Sequence, residues 1–349
     1  MTQAGAPHVQ LRGVVADIDA TRWDVFVHSA PGAQFSHLYG WRHIVEDVLG
    51  REYIALAALT SEGECEGLLP LVRVRAPLLG HSLISMPYLN YGGPIGSPAA
   101  QQVLVDAALA EARRSGAGML QLRMREPLTF APPQPVRKVI ALLELPEAAD
   151  DLWTGFPAKL RSQIRRPQKE GMEFRTGREH VGAFYEVFAR NMRDLGTPVY
   201  PRRFFEAIAA TFEHALFGAV YWRDRPVAAG CGFVWRGEFE ITWASAIRDY
   251  NRLSPNMLLY WSLMEELIRR GVRTFNFGRS TPGASTHAFK TQWGGRDVPL
   301  PWVDVALRDT ASSAGPSSAA RLASAVWRHL PLALANRAGP FLAARLPWW

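Results

Sequence analysis

Two stretches of this chain repeat one order of elements, and any fold must accommodate both. In the first, apolar runs at Tyr53–Thr60 and Glu66–Val74 flank a polar turn at Ser61-Glu62-Gly63, and a helical stretch at Ala99–Arg114 leads through Gly116 into a strand at Met119–Met124. In the second, runs at Leu216–Trp222 and Val227–Trp235 are joined by a turn at Arg223-Asp224. A third strand follows at Glu238–Ala246, and a helix at Pro255–Arg270 leads through Gly271 into Thr274–Phe277. Both copies read hairpin, helix, glycine, strand. In the second helix Met257, Leu258, Trp261, Met264, Leu267 and Ile268 fall at three-and-four spacing, which predicts one face packed on a sheet. Each helix closes on basic residues and a glycine, Arg113-Arg114-Ser115-Gly116 and Arg269-Arg270-Gly271. The cations complement the helix dipole and the glycine supplies a left-handed cap. An antiparallel meander followed by a crossover helix and a further strand predicts an α/β (α+β) fold built twice, with mixed, mostly antiparallel sheets.

The proline-rich Pro127–Pro135 reads as a surface connection, followed by a strand at Val136–Leu145 and helices around Asp150–Gly171 and His180–Leu195. These features place a domain boundary near residue 148. The expected division is 1–148, 149–306, and a linker with a basic amphipathic tail over 307–349. A chain of 349 residues with 48% hydrophobic and 20% charged residues builds two ordinary cores and is not disordered. Cys65 and Cys231 lie far apart in apolar contexts and read as buried thiols, not a disulfide or metal pair. Met1–Val9 has no basic lead into an apolar segment, and no apolar run reaches the roughly 18 residues of a spanning helix, so a cytoplasmic protein is expected. The net charge of +7 points to an anionic partner: a phosphate-bearing donor, RNA or an anionic membrane surface.

Chemistry concentrates in a few stretches. Lys159 to Gly171 carries Lys159, Arg161, Arg165, Arg166 and Lys169. On a helix Arg161 and Arg165, and Arg165 and Lys169, stand four apart, so like charges stack until a counter-anion such as phosphate relieves them. The alternative is a solvated helix face. Asn276-Phe277-Gly278-Arg279-Ser280 ends an apolar strand in glycine, cation and hydroxyl, and His287 to Gly295 places Lys290 beside Phe289 and close to Trp293. Asn191 to Tyr200 reads as a helix end capped by Gly196 and stopped by Pro198, with Arg193, Asp194 and Tyr200 either facing a cleft or only terminating the helix. His37-Leu38-Tyr39-Gly40-Trp41 and Tyr88 to Pro94, with Tyr91, are aromatic and glycine-rich, and serve equally as cleft wall or loop packing. Ser254 and Pro255 read as the N-cap and first position of the second long helix. No catalytic triad, Walker loop or zinc spacing stands out, which argues against covalent, ATP-driven and zinc mechanisms.

The blocks at Lys159 to Gly171 and Asn276 to Gly295 resemble the FemAB family of N-acyltransferases, and the chain is most similar to the FemAB-like proteins associated with the exosortase/PEP-CTERM system. The resemblance covers roughly residues 20 to 306 and extends into the tail. It implies two tandem GNAT-like domains, and amide formation between an activated donor and an amine of a cell-envelope or exopolysaccharide precursor. The donor would be acyl-CoA or aminoacyl-tRNA, used as a substrate, with no tightly bound cofactor. By resemblance Lys290 lies at the reacting acyl group and stabilises an oxyanion or holds a donor phosphate. Lys159, Arg161, Arg165, Arg166, Arg279 and Ser280 would hold the donor. Tyr39, Trp41, Tyr91, Arg193, Asp194, Tyr200, Phe289 and Trp293 would border a lipid-linked or glycan acceptor. The start of the second helix lacks the Arg/Gln-x-x-Gly-x-Gly/Ala signature, so a coenzyme A pyrophosphate would not be gripped there in the usual way. No inserted arm for tRNA separates the copies. A rival from another class is a non-catalytic duplicated module that binds envelope glycan or nucleic acid.

Residues 311 to 320 are serine, alanine, glycine and proline, a flexible linker by composition. From Arg321 onward the chain carries Arg321, Arg328, Arg337 and Arg345, no carboxylate side chain, many leucines and alanines, and a closing Pro347-Trp348-Trp349. Such a segment either lies at an anionic membrane on its inner face or docks on the protein itself.

Overall fold

The structure, a computed structural model, describes residues 11–15, 18–76, 80–132, 135–308 and 318–343. Met1–Val9, most of the serine-rich linker and Pro347-Trp348-Trp349 lie outside the described residues. In chain order the elements begin with β1 (Leu11–Val15), α1 (Ala20–Ser29), α2 (Gly40–His43), β2 (Glu52–Thr60), β3 (Cys65–Ala76), β4 (Gly80–Ile84), β5 (Ile95–Gly96), α3 (Pro98–Arg114) and β6 (Met119–Leu122). There follow β7 (Lys138–Glu144), α4 (Ala149–Gly155), α5 (Ala158–Lys169), β8 (Glu173–Thr176), α6 (Val181–Leu195), α7 (Arg202–Thr211), β9 (Ala215–Trp222), β10 (Arg225–Trp235) and β11 (Glu238–Ala246). The chain continues through α8 (Pro255–Arg269), β12 (Thr274–Ser280), α9 (Ser285–Thr291), β13 (Arg296–Leu300), β14 (Val303–Ala306), α10 (Ser318–Trp327) and α11 (Leu332–Ala343).

Two compact units result, one from the elements up to β6 with β14, the other from β7 to β13 with α10 and α11. The boundary expected near residue 148 therefore falls at Pro135-Val136, because β7 pairs with β12 and β13. The second domain does not run to residue 306, because β14 returns to pair with β6. The first sheet has the order β1-β2-β3-β4-β6-β14 with β5 on β3, and the second β13-β7-β12-β11-β10-β9-β8. Among the described residues each sheet has one parallel pair, β4 with β6 and β11 with β12. Each of these pairs spans a helix, as a parallel connection requires. With β4 included, both copies read three strands, a helix and a strand, so the duplication is fuller than the sequence predicts.

Expectation and structure part at several places. The helical stretch from Asp150 is two helices, because Pro157 disfavours helix at Phe156, which is extended and ends α4. Ser254 occupies the cap position of α8 in a left-handed conformation, and its side chain makes no capping bond. Instead of burying one face, α8 is apolar almost all round: it packs on β9, β10 and β11 and is covered by α4 and α5. Cys231 is buried, whereas Cys65 is half-buried. No helix among the described residues is long and apolar enough to cross a membrane.

Candidate active site

In the second unit β11 and β12 pair only over Glu238–Glu240 and Thr274–Asn276, then part. Both strands carry an irregularity at that point. On β11 the partners of β10 skip Thr242, passing from Ile241 opposite Gly232 to Trp243 opposite Cys231. On β12 the partners of β7 pass from Asn276 opposite Leu142 to Arg279 opposite Ile140, one residue too many. Such bulges add twist and bend a strand away from its neighbour. Gly278 takes a φ of 69°, which a side chain would resist, and its N–H donates to Asn276 Oδ1 at 2.9 Å.

Polar groups gather where the strands separate. Glu240 and Asn276, the last residues of the parallel ladder, are buried. Asn276 Nδ2 donates to Glu238 Oε1 at 2.8 Å and to Glu240 Oε2 at 3.4 Å, and Thr242 Oγ1 donates to Glu240 Oε1 at 3.3 Å. Lys290, carried by α9, donates from Nζ to Gly278 O at 2.9 Å and Arg279 O at 2.8 Å, fastening the bulge. Burial pushes the Lys290 ammonium down to about 8; Glu240 opposes the shift and Arg279 adds to it. Burial also lowers Arg279, against the negative pull of Tyr200 and Glu240. Ser280 Oγ is buried with no hydrogen-bond partner among the described residues. A partly desolvated cation where two strands part suits stabilisation of charge that develops on a bound carbonyl oxygen.

The expected residues separate into groups. Lys290 and Arg279 come together here, with Glu240 and Tyr200 within electrostatic reach of Arg279, and Ser280 follows Arg279 at the end of β12. Lys159, Arg165 and Arg166 are exposed on α5 and Arg161 is half-buried, while Leu160, Ile164 and Pro167 turn into the core. Arg165 lies 5.0 Å from the Trp153 ring, and Arg161 Nη1 donates to Thr154 O at 3.2 Å. Arg193 and Asp194 do not face an open cleft: Arg193 Nε meets Asp194 Oδ1 at 2.7 Å, and its Nη1 donates to Leu330 O at 3.0 Å, holding the C-terminal segment. Trp293 is enclosed among Phe156, Tyr260 and Phe277, and half-buried Phe289 packs on Tyr260 at 5.0 Å; both are core packing. In the first unit Trp41 is fully buried, its indole N–H donating to Phe35 O at 2.9 Å. Tyr91 is buried under Arg125, whose Nη1 donates to its hydroxyl at 3.3 Å, and the pair lines a cavity of about 310 Å³ with Gln34, His37 and Gln101. Half-buried Tyr39 accepts from Arg42 Nη1 at 2.6 Å.

Glu240 was missed from sequence. Its visible sign is Glu238-Phe239-Glu240, two carboxylates on one face of a strand otherwise rich in apolar residues.

Residues 156–291 match the family model described as an acetyltransferase (GNAT) domain. No curated protein matches the sequence. Among solved structures, FemX superposes with a TM-score of 0.61 at 15% identity, over 84% of this chain and 97% of that one. L-PGS from Bacillus licheniformis gives 0.53 at 14% identity, over 89% and 96%. A tandem GNAT protein from the clavulanic acid biosynthesis pathway gives 0.52 at 13% identity, over 85% and 98%. At these identities the likeness is one of fold, and the fold is tandem GNAT-like.

Proposed function

We propose that this chain is an N-acyltransferase of FemAB type, joining an activated acyl or aminoacyl group to an amine on a cell-envelope or exopolysaccharide precursor. The observation that carries the proposal is Lys290, clamped by two carbonyls at the parting of β11 and β12 with its ammonium lowered to about 8. In the reaction the acceptor amine attacks the donor carbonyl carbon, a C–N bond forms, the C–S or C–O bond to the carrier breaks, and the proton lost by the amine ends on the departing thiol or hydroxyl. The transient oxyanion is the charge that Lys290, with Arg279 nearby, is placed to meet. Glu240 offsets the two cations when the site is empty. The α5 cations Lys159, Arg161, Arg165 and Arg166 supply phosphate contacts suited to coenzyme A or tRNA. The structural neighbours FemX and L-PGS and the resemblance to exosortase-associated FemAB-like proteins favour a lipid-linked or glycan amine as acceptor and a site of action on the cytoplasmic side.

The test is a donor panel of acetyl-CoA, longer acyl-CoAs and aminoacyl-tRNA, read first by thermal shift and then by donor consumption with amine acceptors. One donor class should give a saturable shift. Lys290→Ala should keep that shift while transfer falls by about 10²–10³-fold. Undiminished transfer by Lys290→Ala overturns the assignment of Lys290, and donor binding without consumption beside any amine makes the chain a non-catalytic module.

A further inference from the structure

We infer that the paired C-terminal helices α10 and α11 form a docking face for an anionic lipid bilayer. They lie on α6 and on the loop that follows it, and they do so with small residues. In α11 the buried positions are Ala335, Gly339 and Ala343, four apart along one side. A Cβ on Gly339 would stand 3.0 Å from Val199 N, so glycine lets the helix close onto that loop. Arg193 ties the turn between the helices through Leu330 O. The segment therefore docks on the protein and still leaves several large apolar residues largely exposed: Leu322 is 67% exposed, Val326 58%, Leu334 55% and Phe341 60%. Chance exposure scatters such residues singly, whereas here they are ordered. Leu322 and Val326 stand one turn apart on α10, and Leu334, Ala338 and Phe341 share one side of α11.

Charge identifies the partner. Arg321, Arg328 and Arg337 are exposed in the same two helices and their connection, and residues 311 to 349 contain no aspartate or glutamate. Apolar side chains in a segment that carries arginines and no carboxylate match an acyl boundary beneath anionic headgroups, whereas a protein partner of this size ordinarily meets both signs of charge. Each arginine near such a surface is worth roughly fivefold in binding, so three of them favour anionic over neutral vesicles by on the order of a hundredfold. Val199, against which Gly339 packs, immediately precedes Tyr200 of the candidate active site, so the face is attached to the loop that borders that site. The inference does not depend on the proposed reaction.

The experiment is co-sedimentation of the full chain with vesicles of phosphatidylglycerol and phosphatidylcholine, or of phosphatidylcholine alone, at low and high salt. The variants are L334S/F341S and R321E/R337E, each checked for an unchanged thermal midpoint. Binding should appear on the anionic vesicles, weaken with salt, and fall at least tenfold in either variant. No binding to anionic vesicles at low salt overturns the inference, as does binding that both variants retain. Tighter, variant-sensitive binding to an RNA homopolymer than to vesicles would assign the face to nucleic acid. Self-association lost in L334S/F341S, with no vesicle binding, would assign it to a second copy of the chain.

Discussion

Glu240→Gln tests whether the buried carboxylate and Lys290 belong to one electrostatic site. Desolvation moves Lys290 from 10.5 to about 8, with Arg279 pushing the same way and Glu240 pulling back. At that value about ten ammonium groups stand against one amine at pH 7, and the ratio inverts at pH 9. Glutamine keeps the size of the side chain and an oxygen for Asn276 or Thr242 but removes the negative charge, so Lys290 in the variant titrates below its parent value. Because the folded state holds this proton less tightly than the unfolded chain, charged Lys290 destabilises the fold below about pH 8, and the cost fades as pH climbs toward 10.5. The chain has only four lysines, Lys138, Lys159, Lys169 and Lys290, against 35 arginines. Reductive methylation with ¹³C-formaldehyde therefore gives an NMR spectrum simple enough to follow each one, with Lys290 identified by the signal missing from Lys290→Arg. A Lys290 midpoint at the ordinary 10.5, or one that Glu240→Gln leaves in place, refutes the idea that burial and Glu240 together set its charge.

Three further outcomes are expected. Ser280→Ala removes a hydroxyl with no partner among the described residues, so urea unfolding should change by less than about 1 kcal/mol while donor or acceptor affinity drops; a large stability loss would show that the hydroxyl is structural. His37 is buried and neutral, accepting from Gln34 N at 3.0 Å through Nδ1 and donating to Gly93 O at 2.9 Å through Nε2, and burial lowers its pKa from 6.5 to about 4. Protonation is thus easier in the unfolded chain, and the first unit should lose about 3 kcal/mol as pH falls from 6.5 to 4, a dependence that urea titrations of His37→Asn should lack. Gly339→Leu should release α10 and α11 from α6, read as new proteolytic cleavage after Arg321 or Arg328 with the remainder of the chain intact; unchanged cleavage would mean that the close approach to Val199 is not what seats the helix.

The repeated order of elements was legible because it rests on long periodic runs whose burial depends on few choices. The pieces that escaped are short or half-exposed: β4, β8, β13 and β14 each have at most five residues, and β8 alternates exposed and half-buried positions. Their existence is decided by the edge they pair with, which no local pattern states. The domain boundary failed for the same reason, since β7 is assigned by its pairing to β12 and β13 and not by the prolines around it. At the candidate site, Lys290, Arg279 and Ser280 were visible as polar residues among glycines after an apolar strand. Glu240 was not, because a carboxylate in a strand ordinarily marks a solvent face, whereas here it is buried at the last rung that β11 shares with β12.

The duplication itself argues for chemistry in the second copy. Aligning the two parallel pairs sets Ser82-Leu83-Ile84 of β4 against Glu238-Phe239-Glu240 of β11, and Met119-Leu120-Gln121 of β6 against Thr274-Phe275-Asn276 of β12. Ile84 then stands where Glu240 does, and Arg123 where Gly278 allows the bulge. Arg123 is buried and its donors are spent on the protein: Nη1 on Pro87 O and Leu89 O, Nε on Gln121 Oε1, with the Trp302 ring 4.5 Å from the guanidinium. That cation fastens loops together where its counterpart region in the second copy leaves a lysine of lowered pKa and a hydroxyl without a partner among the described residues. One fold built twice thus spends the arginine at this position of its first sheet on the protein's own carbonyls and on Gln121. Replacing Arg123 should cost the stability of the first unit, whereas replacing Lys290 or Ser280 should cost activity.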